Sequence, residues 1–438
     1  MKLPEIKIGD LAHPEPGSFK IGPFGSSLKK EEFVKEGIPV IGIENVLNNI
    51  FMPPFRRYIT KDKYKQLSQY TIKSGDILVT TMGTIGYAAV APKSIGTMII
   101  DSHLFRMRVD QLTVHPPYLC YAINYYDGIK QHLQKMSRGA IMEGLNTTIL
   151  KECSLPLPPI PEQKRITSIL EKADRLRRLH RYALELSSKY LQAVFLEMFG
   201  DPTMNQKHWE LSLLSKEGVL DRGKSQYRPR DAAHLYGGSY PFIQTGDVAN
   251  SNGLITQYSQ RYTEAGLAQS RLWKKGTLCI TIAANIAKTA ILDFDACFPD
   301  SIVGFIPGPR VTVEYVRQWF VNIQNRLEKV APQSAQKNIN LEILRNLQIP
   351  VPPSMLQQKL AQIVQKHVRI QVQQREALRQ AEHLFQTLLH QAFEGDLEPK
   401  PASSPSTTEL ENIHDTQNLP GIPDTIEGEI YQLSFPVE

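Results

Sequence analysis

The side chains in this sequence best suited to chemistry are cations, amides and hydroxyls gathered in glycine-rich stretches. The stretch Gly22-Pro-Phe-Gly-Ser-Ser-Leu-Lys-Lys30 brings together Gly22, Gly25, Ser26, Ser27, Lys29 and Lys30. Free backbone N–H groups, hydroxyls and ammonium groups are what a phosphate contact needs; the alternative for such a stretch is a plain surface turn. Lys224, Arg228 and Arg230 form the densest basic cluster of the second half, and Pro229 stiffens it. Amide and guanidinium forks match base edges: arginine or lysine on guanine, asparagine or glutamine on adenine. Gln244 and Thr245, with Asp247, follow a predicted strand, and Glu44 and Asn45 hold the similar place earlier in the chain. Thr81 closes the apolar run Ile77–Thr81 and Thr84 follows it, and Asn285 and Lys288 follow Leu278–Ile282. Loops at strand ends are where binding groups usually sit. Arg138, Gln336 and Lys337 lie in polar loops that also carry Asn146 and Asn340, and these two asparagines read as caps or turn residues.

A search for catalytic groups nominates none. The sequence lacks the G-x-x-x-x-G-K-[ST] phosphate loop. An adenine methyltransferase holds its flipped base with a polar residue before Pro-Pro-aromatic; the nearest string, Met52-Pro-Pro-Phe55, begins with methionine. Cys120, Cys153, Cys279 and Cys297 form no C-x-x-C pair and have no histidine at zinc spacing, so no metal is expected. They read as isolated buried thiols of a reducing compartment, the cytoplasm. No run of apolar residues is long enough for a membrane span. The formal charge is +6. Residues 398–438 hold eight acids against one lysine, which leaves the rest at about +13, a balance that permits a polyanionic partner. The tail itself reads as disordered.

The elements that must position these groups appear twice. Leu155-Pro-Leu-Pro-Pro159 recurs as Ile349-Pro-Val-Pro-Pro353, with Gln163 matched by Gln357 and Ile166 by Leu360. Upstream, Gly75–Thr80 lines up with Gly276–Thr281, Pro39-Val-Ile41 with Pro241-Phe-Ile243, Val46 with Val248, and Asp101-Ser102 with Asp300-Ser301. A common order at near-constant offset makes this a domain duplication. Each copy starts with a module of short strands and turns, with predicted helices over 117–136 and 313–330. A long helix follows, predicted over 161–199 in the first copy and 355–393 in the second.

Both long helices carry a three-four alternation. It runs Leu360, Ile363, His367, Ile370, Gln374, Ala377, Ala381, Leu384, Leu388 in one, and Ile166, Ile169, Ala173, Leu176, His180, Ala183, Ser187, Tyr190, Val194 in the other. Such a repeat argues for a coiled coil, about 57 Å long. A second stripe, Leu191, Phe195 and Phe199 matched by Phe385, Leu389 and Phe393, packs on the chain's own modules or docks another subunit. Lys172, Arg175, Arg177, Arg178 and Arg181 read as a solvated helix face, with contact to DNA backbone as the alternative.

Several strings carry a family resemblance. Gly22–Lys30 followed by Gly37-Ile-Pro-Val-Ile41, the helix entry Leu157-Pro-Pro-Ile-Pro-Glu-Gln-Lys-Arg-Ile166, and Gly223–Arg230 with Pro241–Asp247 resemble the specificity subunit of Type I restriction–modification enzymes over about residues 1–397. The second helix entry departs from the pattern, with Leu356 in place of glutamate. The resemblance implies an α+β fold with internal pseudo-twofold duplication. Its target-recognition domains, 1–156 and 201–350, are separated by a pair of long antiparallel coiled-coil helices, 157–200 and 351–397. It implies a non-catalytic subunit that reads a bipartite site on double-stranded DNA, with two modification subunits and restriction subunits as partners. S-adenosylmethionine, ATP and magnesium belong to those partners. The alternatives are a non-catalytic scaffold or dimerisation protein, or a stand-alone DNA-binding regulator.

Overall fold

The structure is a computed structural model that describes residues 4–83, 85–137, 145, 147–227, 229, 232–283, 286–330, 339–395 and 397. The chain forms two compact units. Unit 1 takes residues 1–182 and 375–438, and unit 2 takes residues 183–374. Each long helix is one continuous element, Ile160–Phe199 and Ser354–Glu394, and each is divided between the units. The units divide both long-helix segments expected from sequence, while residues 1–156 fall wholly in unit 1 and residues 201–350 wholly in unit 2.

Unit 1 contains eleven strands among the described residues: β1 (Glu5–Lys7), β2 (Phe19–Ile21), β3 (Ile38–Ile41), β4 (Val46–Leu47), β5 (Ile50–Phe51), β6 (Tyr58–Ile59), β7 (Ile77–Thr80), β8 (Ala88–Val90), β9 (Ile99–Ile100), β10 (Leu104–Met107) and β11 (Ser154–Pro156). The main sheet runs β2-β10-β7-β8 and is antiparallel throughout. Strand β7 is buried along its whole length, which explains its unbroken apolar run. Next to this sheet, β3 lies between β6, antiparallel, and β9, parallel. Strand β1 pairs with β11. The predicted helix over 117–136 is two helices, Pro116–Tyr125 and Asp127–Ser137, separated at Tyr126.

Unit 2 repeats the plan. Its strands are β12 (Glu210–Leu213), β13 (Gly218–Arg222), β14 (Tyr236–Phe242), β15 (Leu254–Ile255), β16 (Gln260–Tyr262), β17 (Leu278–Thr281), β18 (Thr289–Leu292), β19 (Ile302–Pro307) and β20 (Gln348–Val351). The sheet order β13-β19-β17-β18-β15 reproduces that of unit 1 with one strand added. Strand β12 pairs with β20 as β1 pairs with β11. The helix Val313–Val330 covers the range expected from sequence.

The joint between module and long helix is the same in both units. Gln163 is fully buried. Its Oε1 accepts from the His115 N–H at 2.7 Å, and its Nε2 donates to the carbonyls of Thr113 and Pro158. Gln357 repeats this with the Thr312 N–H and the carbonyls of Arg310 and Pro352. Tyr118 Oη donates to the Pro156 carbonyl at 2.7 Å, and Tyr315 Oη to that of Pro350 at the same distance. Buried polar groups must be satisfied, and here their partners tie the Pro-rich stop to the module. Glu162 pairs with Arg165 at the partly exposed surface and takes no part in this network, and the Gln357 bonds form with Leu356 at the matching place.

The second apolar stripe belongs to the modules. In unit 1, Phe385 packs edge-on to Tyr125 at 5.2 Å, and Phe393 lies beside Tyr118 and Tyr126. In unit 2, Phe195 and Phe199 pack on Tyr315. The heptad seam is only partly buried: Leu176, Tyr190, Ile370 and Leu384 are exposed. Within unit 1 the helix segments run antiparallel, because Arg165 reaches the Leu397 carbonyl while Arg177 and Arg181 reach Glu382. Within unit 2, Ser187 Oγ meets His367 Nε2 at 2.9 Å. Arg177 also stacks on Phe385, and Arg178 donates to the Asn48 carbonyl. These two arginines hold the unit together and do not form a solvated face.

Candidate nucleic-acid interface

Strand ends and the turns after them build a polar surface on each module. In unit 1, four turns converge. Gly22 comes so close to the Asp101 carbonyl that a side chain would sit 1.9 Å from that oxygen, so only glycine fits there. The Gly25–Ser27 turn and Lys29 and Lys30 are exposed beyond it, as is Phe24 at 60%. After β3 comes Glu44, and after β9 come Asp101 and His103. The turn after β7 is anchored by the Thr81 N–H on the His103 carbonyl.

At the centre stands Arg57. One terminal nitrogen lies 2.8 Å from Asp101 Oδ2 and the other donates to Glu44 Oε1 at 3.1 Å. Its guanidinium lies over the Phe33 ring. The side chain is 30% exposed, while Asp101 beneath it is 6% exposed. Burial works against the Arg57 charge, but the Asp101 and Glu44 carboxylates outweigh it and hold its pKa above the ordinary arginine value.

Unit 2 offers a cleft of about 410 Å³ lined by Ser225, Tyr236, Phe242, Gln244, Thr245, Gln260, Pro299 and Ser301. A shelf formed by Gly237, Gly238, Ser259 and Arg261 continues from it past Tyr236 and Gln260. Gln244 Nε2 donates to Gln260 Oε1 at 2.6 Å. Lys224 is exposed, next in sequence to cleft residue Ser225.

The expected site residues divide accordingly. Gly22, Gly25, Ser26, Ser27, Lys29 and Lys30 share one turn region in unit 1, with Gly22 as its buried anchor, and Gln244 and Thr245 share the cleft in unit 2. Asn45 is a correction. It is 1% exposed, and its amide is consumed by the Gly42 N–H and the carbonyls of Met52 and Pro54. It is a turn former, and Met52-Pro-Pro-Phe55 is the turn it holds. Thr81 is a second correction, being buried with its backbone bonded on both sides to His103 and Leu145. Lys288 lines a different cavity, of about 910 Å³, together with Gln192 and Arg317. Asn340 caps the helix Leu341–Arg345, as a structural asparagine would. Thr84, Arg138, Asn146, Arg228, Arg230, Asn285, Gln336 and Lys337 lie outside the described residues.

Sequence reading missed Arg57 and Gln260. Neither follows a glycine-rich turn or a buried strand, and each reaches its site across a strand pair. The Asp101-Ser102 match is shifted by one. Leu104 faces Thr80 as Ile302 faces Thr281, so Asp101 corresponds to Pro299.

Comparison with known proteins agrees with the duplicated plan. A family model described as Type I restriction modification DNA specificity domain matches twice, at residues 17–185 and 217–381. A Methanocaldococcus jannaschii protein provisionally named type I restriction enzyme MjaX specificity subunit is 22% identical over 381 residues, covering 82% of this chain and 88% of that protein. The EcoBI type I restriction enzyme specificity subunit of Escherichia coli is 20% identical over 413 residues, covering 85% and 83%. The solved S subunit of a Type-I restriction-modification system from M. genitalium superposes with a TM-score of 0.56 at 17% identity over 90% of this chain and 96% of that one. With two matched domains on two units of one topology, the chain belongs to the Type I restriction modification DNA specificity family.

Proposed function

We propose that this chain directs adenine methylation to a bipartite DNA target, each unit reading one half-site and the long helices setting the gap. The observation that carries this reading is the repetition of one strand frame with a polar, partly exposed centre in each copy. A duplicated reader suits a target in two parts, because each copy needs its own base pattern. Exposed Lys29, Lys30 and Lys224 supply sequence-independent attraction to phosphate.

Catalysis then belongs to partners. Two modification subunits would supply S-adenosylmethionine and the transfer of the methyl group. Restriction subunits would supply ATP- and magnesium-dependent cleavage. No helix among the described residues is long and apolar enough to cross a membrane, and no group of metal-holding side chains occurs among them. Mapping methylated adenines in cells with and without this gene tests the reading. A split motif that is methylated only in its presence is expected, and an identical methylation pattern in both strains contradicts it.

A further inference from the structure

The two modules keep one frame and exchange side chains at one place in it. Val40 N–H bonds the Arg57 carbonyl where Phe242 faces Gln260, so Arg57 and Gln260 share a position. Asn45 Oδ1 accepts the Gly42 N–H at 3.2 Å and Asp247 Oδ2 accepts the Gln244 N–H at 2.8 Å, so Gly42 matches Gln244 and Glu44 matches Gly246. The Leu104 N–H bonds the Asp101 carbonyl as the Ile302 N–H bonds that of Pro299, so Asp101 matches Pro299. Four positions therefore change as a set. One module carries an arginine between two carboxylates, and the other carries two amides bonded to each other. Residues kept in both copies serve the frame; residues exchanged together in the same frame are where two copies acquire different targets.

We propose that Arg57 with Glu44 reads a G·C pair in one half-site, and that Gln244 with Gln260 reads an A·T pair in the other. This rests on the DNA-specificity reading above. The Arg57, Glu44 and Asp101 group carries a net negative charge, which rules it out as a phosphate clamp. It does hold a fork whose remaining N–H groups match guanine O6 and N7, beside a carboxylate that accepts from cytosine N4. Its two acids and the Phe33 ring hold the fork before DNA arrives, which lowers the ordering cost. In the second module one hydrogen bond joins the two glutamine amides, leaving one amide oxygen and one NH2 group for a base. That is the complement of adenine N6 and N7, whichever amide donates.

The test selects duplexes from a randomised pool with the full-length chain and compares variants. Arg57→Gln should weaken the preference for guanine at one position of one half-site, on the order of 10- to 100-fold, and leave the other half-site intact. Glu44→Gln, which keeps the Arg57–Asp101 contact, should relax the same base pair. Gln244→Ala combined with Gln260→Ala should relax one A·T pair in the opposite half-site. A wild-type chain that selects no motif defeats the DNA-specificity reading itself. A wild-type two-part motif that all variants retain, or variants that lose affinity equally for every sequence with unchanged melting, overturns the base assignment. If Arg57→Gln does not fold, Glu44→Gln decides: an unaltered motif overturns the assignment.

Discussion

At the scale of residues, the sequence showed which types of group were available and not which of them were free. Asn45 and Thr81 were candidates by type and place, yet both are spent on the frame, because a turn after a buried strand must satisfy its own backbone first. Arg57 and Gln260 were invisible because their sites form across strand pairs that no local spacing records. The cysteines were legible: all four are free and buried. Burial, with a smaller push from Glu152, moves the Cys153 thiol up to about 11. Burial likewise raises Cys120, Cys279 and Cys297. A thiolate is the reactive form, so the native chain at pH 7 should show no fast-reacting thiol, with all four appearing on unfolding. A disulfide-exchange reagent checks this, and one thiol titrating within minutes in the native chain contradicts it.

At the scale of elements, the Pro-Pro stop and the glutamine four to five residues after it were the most legible feature, because the constraint is local. Gln163 and Gln357 each bind one N–H and two carbonyls, and that network needs a glutamine at one fixed distance from the prolines. Gln357→Ala would leave those backbone groups unsatisfied and should cost about 2–4 kcal/mol in urea unfolding. A loss within about 0.5 kcal/mol of zero would show the clamp to be incidental. The helix faces were less legible. A three-four alternation fits either a partner helix or a module surface. Here tyrosines of the module helices, Tyr125 and Tyr315, take the second stripe, and several seam positions remain exposed.

At the scale of the whole molecule, the duplication was readable because it repeats both sequence and strand order, as the matched sheets bear out. The proposed role of the long helices is to set the separation of two half-sites. Each helix passes from one unit to the other between Tyr182 and Ala183 or between Gln374 and Arg375. Arg177 and Arg181 reach Glu382 on one side of these points and Ser187 bonds His367 on the other, so lengthening one helix alone would break one of the two sets of contacts. Seven residues inserted at both places keep nearly the same faces and add about 10 Å, roughly three base pairs of duplex. The decisive measurement is the methylation motif written by a complex carrying this paired insertion. If the helices set the separation, the motif keeps the same two half-sites with a gap about three base pairs longer. Altered half-sites with an unchanged gap would contradict it.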